Sequence, residues 1–466
     1  MIKLALPTGD LRKPLAALLD GSGLHVEGYG EGSRSYRFSA GSNEEVSVRV
    51  FRERDIPVQI ALGNYDLGIC GLAWVEELLC RFPQEAVVRL RDIDIGEASV
   101  YVAAAASPRP APGHFRIVSE YPNLAEALAG SLRLSAYRVV PLWGSAQAYP
   151  PEDADLALVT APDDSIVRSW GLQPLAALLK GGACLVANRR SLAAKDVASV
   201  LGPLLSLGQR PEGHLDLPRT LSGLPSLGAP QAERDTVRLA VPDGHQQPGA
   251  LAVLREAGLT FEGYDDSGAV ARPRSDIAGL DVKVIRPQDM PQQVALGNFD
   301  LAISGRDWLL DHTTRFPSSP VRPVLDLGRA RYTLVATASE DVPGDTIGEA
   351  ISYWRSRGRS TLRVASEYAN LADRYTQDRR LGRCQVIPIA GASEGFVPED
   401  AEILIEGTET GTTLVANRLK VIDSIFESTS HLLGYEQPPE GRRRAVYDEV
   451  VGRLRQVAAP VPAGGA

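Results

Sequence analysis

The loop EGTETGTTL, Glu406 to Leu414, follows the apolar run Ala401 to Ile405 and holds two acids, two glycines and four threonines, with no Lys or Arg. A strand entering such a loop and a helix leaving it as LVANRL would aim backbone N–H groups, hydroxyls and a helix N-terminus at one point, which suits a phosphate. The acids cannot serve the phosphate itself. They suit the hydroxyls of an attached sugar, or a Mg²⁺ that accompanies a pyrophosphate. No Gly-Lys-Thr is present, so the loop is not a Walker A motif. A surface turn closed by a Ser/Thr cap would have the same composition, and the loop alone does not separate these readings.

An alternation of strands and helices must position that loop. KLALP reads as a short strand ending at a Pro-x-Gly turn, and DLRKPLAALLDGSG as a helix with a glycine stop. Asp55 and Asp289 each precede a proline-bearing first helical turn, where an aspartate can cap, and DLGIC and DLAIS then read as buried strands. SEYPNLAEAL and SEYANLADRY each set an acid and an aromatic ahead of a helix. This order predicts an α/β fold with mostly parallel sheets and a ligand at the carboxyl ends of the strands, where Glu406 to Leu414 falls.

The chain also repeats itself. RERDIPVQIALGNYDLGICG answers RPQDMPQQVALGNFDLAISG, and RIVSEYPNLA answers RVASEYANLA, with Asp55 matching Asp289 and Ser119 matching Ser366 at offsets of 234 and 247. A period this long means two domain-sized units. The expected organisation is a first copy over 1–208, a Pro/Gly/Leu-rich linker over 209–235, a second copy over 236–459 and a disordered tail over 460–466.

With 466 residues, 44% apolar and 23% charged, the composition is that of a soluble multidomain protein. Lys plus Arg number 49 against 58 Asp plus Glu, a net charge of −9 that argues against nucleic acid as a partner. The four scattered cysteines form no C-x-x-C pair and fit a reducing cytoplasm, and no apolar run is long enough for a membrane span.

Five ordered segments of the second half carry a specific resemblance: the P-x-G opening, R-x-x-D-[IM]-P with D-L-x-I-x-G, R-V-A-S-E-Y-x-N-L, E-x-x-x-T-G-x-T-L and IFESTSHLL. Through nearly all of both halves the chain resembles the ATP phosphoribosyltransferase family. The resemblance implies two tandem copies of a two-lobed unit like periplasmic binding proteins, the short catalytic form twice over. It implies transfer from phosphoribosyl pyrophosphate (PRPP) to N1 of ATP, the first step of histidine biosynthesis, with Mg²⁺ as cofactor. Glu406 then stands where the family has an aspartate near the ribose. Thr408, Glu409, Thr410, Gly411, Thr412 and Thr413 would form the PRPP loop. Arg286, Asp300, Gly305 and Glu367 would line the nucleotide side, although Arg286 also suits a surface cation and Asp300 a strand-end cap. Asn370 and Glu367 also suit helix capping, and His245 and His312 read as isolated surface residues. The implied partners are the two substrates, a homo-oligomer and a regulatory subunit resembling histidyl-tRNA synthetase.

The halves are chemically unequal. At the offset of 247, EGTETGTTL becomes VTAPDDSIV, so Asp163 and Asp164 replace Thr410 and Gly411. Carboxylates there would repel a phosphate, which predicts one active site, in the second copy. GACLVAN, Gly182 to Asn188, echoes GTTLVAN but is out of register. The family's L-P-K-G-R opening has become LPTGD and VPDGH, and the loss of both cations, with Asp243 in place of the lysine, bears against an anionic acceptor. Two other readings therefore stand beside ATP: a different base acceptor, or a tandem pseudoenzyme that binds nucleotide or PRPP and regulates a true transferase.

Overall fold

The computed structural model describes residues 1–30, 32–40, 46–83, 86–228 and 234–458; the tail expected over 460–466 lies outside these. Each copy has two lobes, and each lobe is built on three parallel strands. In the second copy one lobe orders Leu280–Ile285, Val237–Pro242 and Leu301–Gly305, and the other Cys384–Pro388, Leu362–Ser366 and Ile403–Thr408. Antiparallel strands complete each sheet where the chain crosses between lobes, so the sheets are mixed around a parallel centre. In the first copy the crossing strands Val87–Ala105 and Leu172–Asn188 run through both lobes and join them into one nine-stranded sheet. GACLVAN ends that long strand, whereas TTLVA, Thr412–Ala416, is helical.

The copies pack head to tail. Their apolar cores are continuous: Phe51, Ile56 and Val102 of the first copy share a cluster with Phe396, Leu404 and Leu414 of the second. A second cluster joins Val118, Val140 and Val159 to Ile285, Met290 and Phe299. Related polar contacts edge both seams. Arg49 pairs with Glu399, and Tyr65 donates to Asp400 at 2.9 Å. On the other side Lys283 pairs with Glu152 and Asp153, and Arg238 with Asp153. Over 209–228 the expected linker is packed rather than free, because Leu215, Leu217, Leu221 and Leu224 lie on the first copy's core and Leu227–Gly228 pairs with Ala111–Pro112. Among the described residues no helix is long and apolar enough to cross a membrane.

Phe396, fully buried, meets Phe51 edge-on with ring centroids 4.7 Å apart. Phe396→Ala should therefore lower stability by about 3–5 kcal/mol, the usual cost of emptying a phenylalanine site. Because one cluster spans both copies, urea unfolding should remain a single transition at a lower midpoint. Two separated transitions would contradict the shared core.

Candidate functional site

The strand Ile403–Thr408 delivers Glu406 and the loop to the cleft, as the sequence predicts, but the following helix Thr412–Ala416 is a single turn. Its dipole is correspondingly small, so the loop's N–H groups and hydroxyls must supply most of any anion affinity. Gly411 has φ +71°, a left-handed conformation that glycine adopts without strain, and a Cβ there would point into open space. Thr408 Oγ1 accepts from the Gly411 amide at 3.0 Å, and the Thr410 and Thr412 hydroxyls lie 2.8 Å apart. Glu409 and Thr410 are exposed.

Behind the loop is a cluster of acids. Ser393 donates its hydroxyl to Glu406, and the Gly407 amide reaches Glu406 Oε1 at 3.3 Å. Burial, then the charges of Glu367 and Glu394, push the Glu406 carboxyl well above its ordinary range. Burial likewise raises Glu394, and takes Glu367 to about 7 against the pull of Arg52. Arg52 belongs to the first copy. A Cβ placed on Gly391 would stand 2.7 Å from Glu367 Oε1 and 3.0 Å from Arg52 Nε, so guanidinium and carboxylate close over a glycine that has no side chain to obstruct them. Tyr36 of the first copy also feels Glu394, Arg52 and Glu406, and Asn417 beyond the loop binds the Tyr36 amide and the Arg34 carbonyl. The cleft around Glu406 is thus built by both copies.

The related place on the other seam is stripped of that chemistry. Glu120 answers Glu367, Arg286 answers Arg52, and Gly144 answers Gly391, with Arg286 Nε 2.6 Å from the position of a Gly144 Cβ. However, Val159 stands in place of Glu406 and Ala146 in place of Ser393. Asp163 caps its own helix, Asp164–Ser169, accepting from the Ser165 and Ile166 amides at 2.8 and 3.2 Å. The protein's own carboxylate already occupies the N–H groups that an anion would use.

Several anticipated residues have other surroundings. Arg286 does not face the EGTETGTTL loop; it pairs with Asp243 at 3.2 Å and stands beside Glu120 of the first copy. Asp300 precedes the strand that Gly305 ends, about 16 Å away at strand rise. There it pairs with Arg234 and Arg443 and accepts the Arg238 amide at 2.8 Å, so it cannot line a cleft at the strand's carboxyl end. Gly305 does reach that end. A Cβ on it would collide with Asp307 Oδ1 at 2.1 Å, so glycine lets Asp307 fold back to accept from Ser428 at 2.7 Å. Among the described residues Asp307 Oδ2 is buried with no hydrogen bond of good geometry, Tyr332 stands beside Asp307, and the charge of Asp307 raises Glu367. Sequence reading missed Asp307, yet the signal was available: GRDW is GLAW in the first copy, with Ala73 at that position. Asn370 and its amide bond Asp311, which caps that helix. His312 bonds Ser319 at 2.8 Å and is part-buried, and His245 is exposed. Asp55 and Asp289 make no side-chain cap; they cross the seams to accept the Ala390 and Trp143 amides.

Burial raises Glu53, Asp55, Glu120 and Glu367 each to about 7. Between pH 5 and 7 the folded chain therefore holds protons that the unfolded chain has released, and stability falls as pH rises. The thermal midpoint should decline from pH 5 to about 7 and then level off, with Glu120→Gln and Glu367→Gln each flattening the slope. Glu152, depressed to about 2 by Arg272 and Lys283, adds stability that is lost only below this window. A midpoint that rises across it would contradict the assignment.

The comparisons with known proteins divide the chain at the same repeat. The family profile described as ATP phosphoribosyltransferase matches residues 52–205 and again 286–456, most of each half. The ATP phosphoribosyltransferase of Deinococcus radiodurans is 29% identical over 234 residues, 50% of this chain and 95% of that one. That of Methanopyrus kandleri is 30% identical over 226 residues, 47% and 72% of the two chains. The match to the Koribacter versatilis enzyme, 28% identical, spans 64% of that protein's length and 42% of this chain. A solved ATP phosphoribosyl transferase (HisG:HisZ) complex from Thermotoga maritima covers 48% of this chain and 98% of its own at 21% identity, with a TM-score of 0.38. With the profile matched once in each half, the chain belongs to the ATP phosphoribosyltransferase family.

Proposed function

We propose that the protein transfers phosphoribosyl from PRPP to N1 of ATP, releasing pyrophosphate, at a single site formed by the second copy's loop and the first copy's Arg52. One observation carries this reading. The Gly411 loop is open to an anion and backed by Glu367 and Glu406, whereas the answering N–H groups of the first copy are filled by Asp163. In this reading Thr408 to Thr413 hold the 5′-phosphate, and Glu406 and Glu367 take the ribose hydroxyls. Arg52 offsets the charge of the leaving pyrophosphate. Transfer at an anomeric carbon passes through an oxocarbenium-like state, so orientation of the substrates supplies most of the rate.

Among the described residues no three acids, histidines or cysteines are arranged as a metal cage. That fits a Mg²⁺ which arrives with pyrophosphate and borrows at most one or two carboxylates, Glu406 or Glu367, rather than a resident ion. When bound, the ion would neutralise leaving-group charge. Asp243 does not bear against ATP at this cleft, because its carboxylate pairs with Arg286 beside Glu120 and is not among the groups around Glu406. The seam already fills a dimer-like face, so one chain counts as two catalytic-type subunits, and a regulatory subunit like the HisZ of the solved complex remains a partner to test by co-purification.

Incubation with PRPP, Mg²⁺ and ATP, followed by absorbance and mass spectrometry, should yield N1-(5-phosphoribosyl)-ATP. PRPP binding without product, with ATP or with HisZ added, would sink the ATP reading in favour of another base or a regulatory role.

A further inference from the structure

Away from the cleft, at the amino end of the strand Leu301–Gly305, lies a cavity of about 210 Å³ lined by residues that include Arg234, Phe299, Asp300, Tyr435, Arg443 and Tyr447. Two guanidiniums share one carboxylate oxygen there: Arg234 Nη2 and Arg443 Nη1 lie 2.8 and 3.1 Å from Asp300 Oδ1. The other oxygen of Asp300 is taken by the Arg238 amide. One negative charge therefore answers two positive ones in a part-buried, aromatic-walled space. Arg234 spends a further N–H on the Asn298 carbonyl at 2.7 Å, whereas Arg443 has no second acceptor among the described residues. The first copy is balanced by contrast. Asp66, which answers Asp300, accepts both of its contacts at 2.9 Å from Lys195 alone among cations, with Ser191 and the Lys3 amide completing it.

We propose that this cavity binds a small oxyanion, a phosphate or a carboxylate, gripped by the guanidiniums of Arg234 and Arg443. Planar guanidinium forks match such an anion in charge and geometry. Burial works against the charge of Arg234, so a second anion supplies what Asp300 alone does not. Bound there, the anion would tie the segment joining the copies, through Arg234, to the final helix Arg442–Val457, through Arg443. It would also brace the strand that ends at Gly305.

This inference does not rest on phosphoribosyl transfer, and its test removes the loop as a rival phosphate site. In the full chain carrying Gly411→Asp, inorganic phosphate and, in parallel, citrate are titrated at constant ionic strength against sodium chloride, reading heat and thermal midpoint. Saturable one-site binding that raises the midpoint, and that Arg443→Gln weakens about tenfold, supports the site. Response to phosphate alone, or to citrate alone, identifies which oxyanion it takes. If Arg443→Gln is unfolded by circular dichroism, Arg443→Lys, which keeps the charge but loses the fork, should show the same weakening. No saturable response beyond chloride, or binding untouched by both Arg443→Gln and Arg234→Gln, overturns the proposal.

Discussion

Gly411→Asp should abolish product formation and weaken PRPP binding by about a hundredfold or more, equivalent to ~3 kcal/mol, while leaving the fold intact. Two effects act together. The native φ of +71° strains any residue with a Cβ, which costs about 1 kcal/mol. The larger effect is a carboxylate at the place proposed for the 5′-phosphate, next to the threonine hydroxyls that would donate to it. Space is not the obstacle, since a Cβ on Gly411 meets nothing within 4 Å, so a folded variant should be recovered with its thermal midpoint within a few degrees. Isothermal titration with PRPP separates lost binding from lost turnover. The reverse change, Asp163→Thr with Asp164→Gly, should create no second site, because Val159 and Ala146 still stand where Glu406 and Ser393 would be needed. PRPP bound at full affinity by Gly411→Asp would place the phosphate elsewhere.

Much of this architecture was legible because the chain carries its own comparison. Matching the halves located the strands at Leu67–Gly71 and Leu301–Gly305, the helices after both SEY segments, and the exchange of Thr410 and Gly411 for Asp163 and Asp164. The matching P-E-D-A segments at Pro151 to Ala154 and Pro398 to Ala401 carry the acids, Glu152 and Asp153 or Glu399 and Asp400, that bind the opposite copy. That role was invisible because a local pattern does not name a distant partner. Asp55 and Asp289 illustrate the same limit. Their position before a helix is the usual place for a cap, but backbone amides across the seam, at Ala390 and Trp143, claimed the side chains instead. Asp300 was misassigned for a simpler reason: a strand has two ends, and it lies at the one opposite the cleft.

The sharpest consequence of the head-to-tail packing is an inversion in which arginine matters. Arg286 lies in the same copy as the open loop and Arg52 in the other, so a reading confined to the second copy assigns the substrate contact to Arg286. The structure pairs Arg286 with Asp243 beside Glu120, and brings Arg52 to Gly391 and Glu367. Arg52→Ala should therefore lower kcat by about a hundredfold, the scale of losing one preorganised charge at a reacting centre. Arg286→Ala should leave kcat within about threefold, because it removes charge only from a place without an anion loop. Arg52→Ala also takes away the cation that restrains Glu367, so its carboxyl should titrate still higher, and activity that needs ionised Glu367 against the ribose hydroxyls should set in at a higher pH. That displacement of the pH profile distinguishes an electrostatic role from a merely structural one, and Arg52→Lys should restore part of it. If Arg286→Ala proved the more damaging change and Arg52→Ala were silent, the catalytic cleft would have to lie on the opposite seam, over Glu120 and Val159, where the protein has no hydroxyl-rich loop to hold a phosphate.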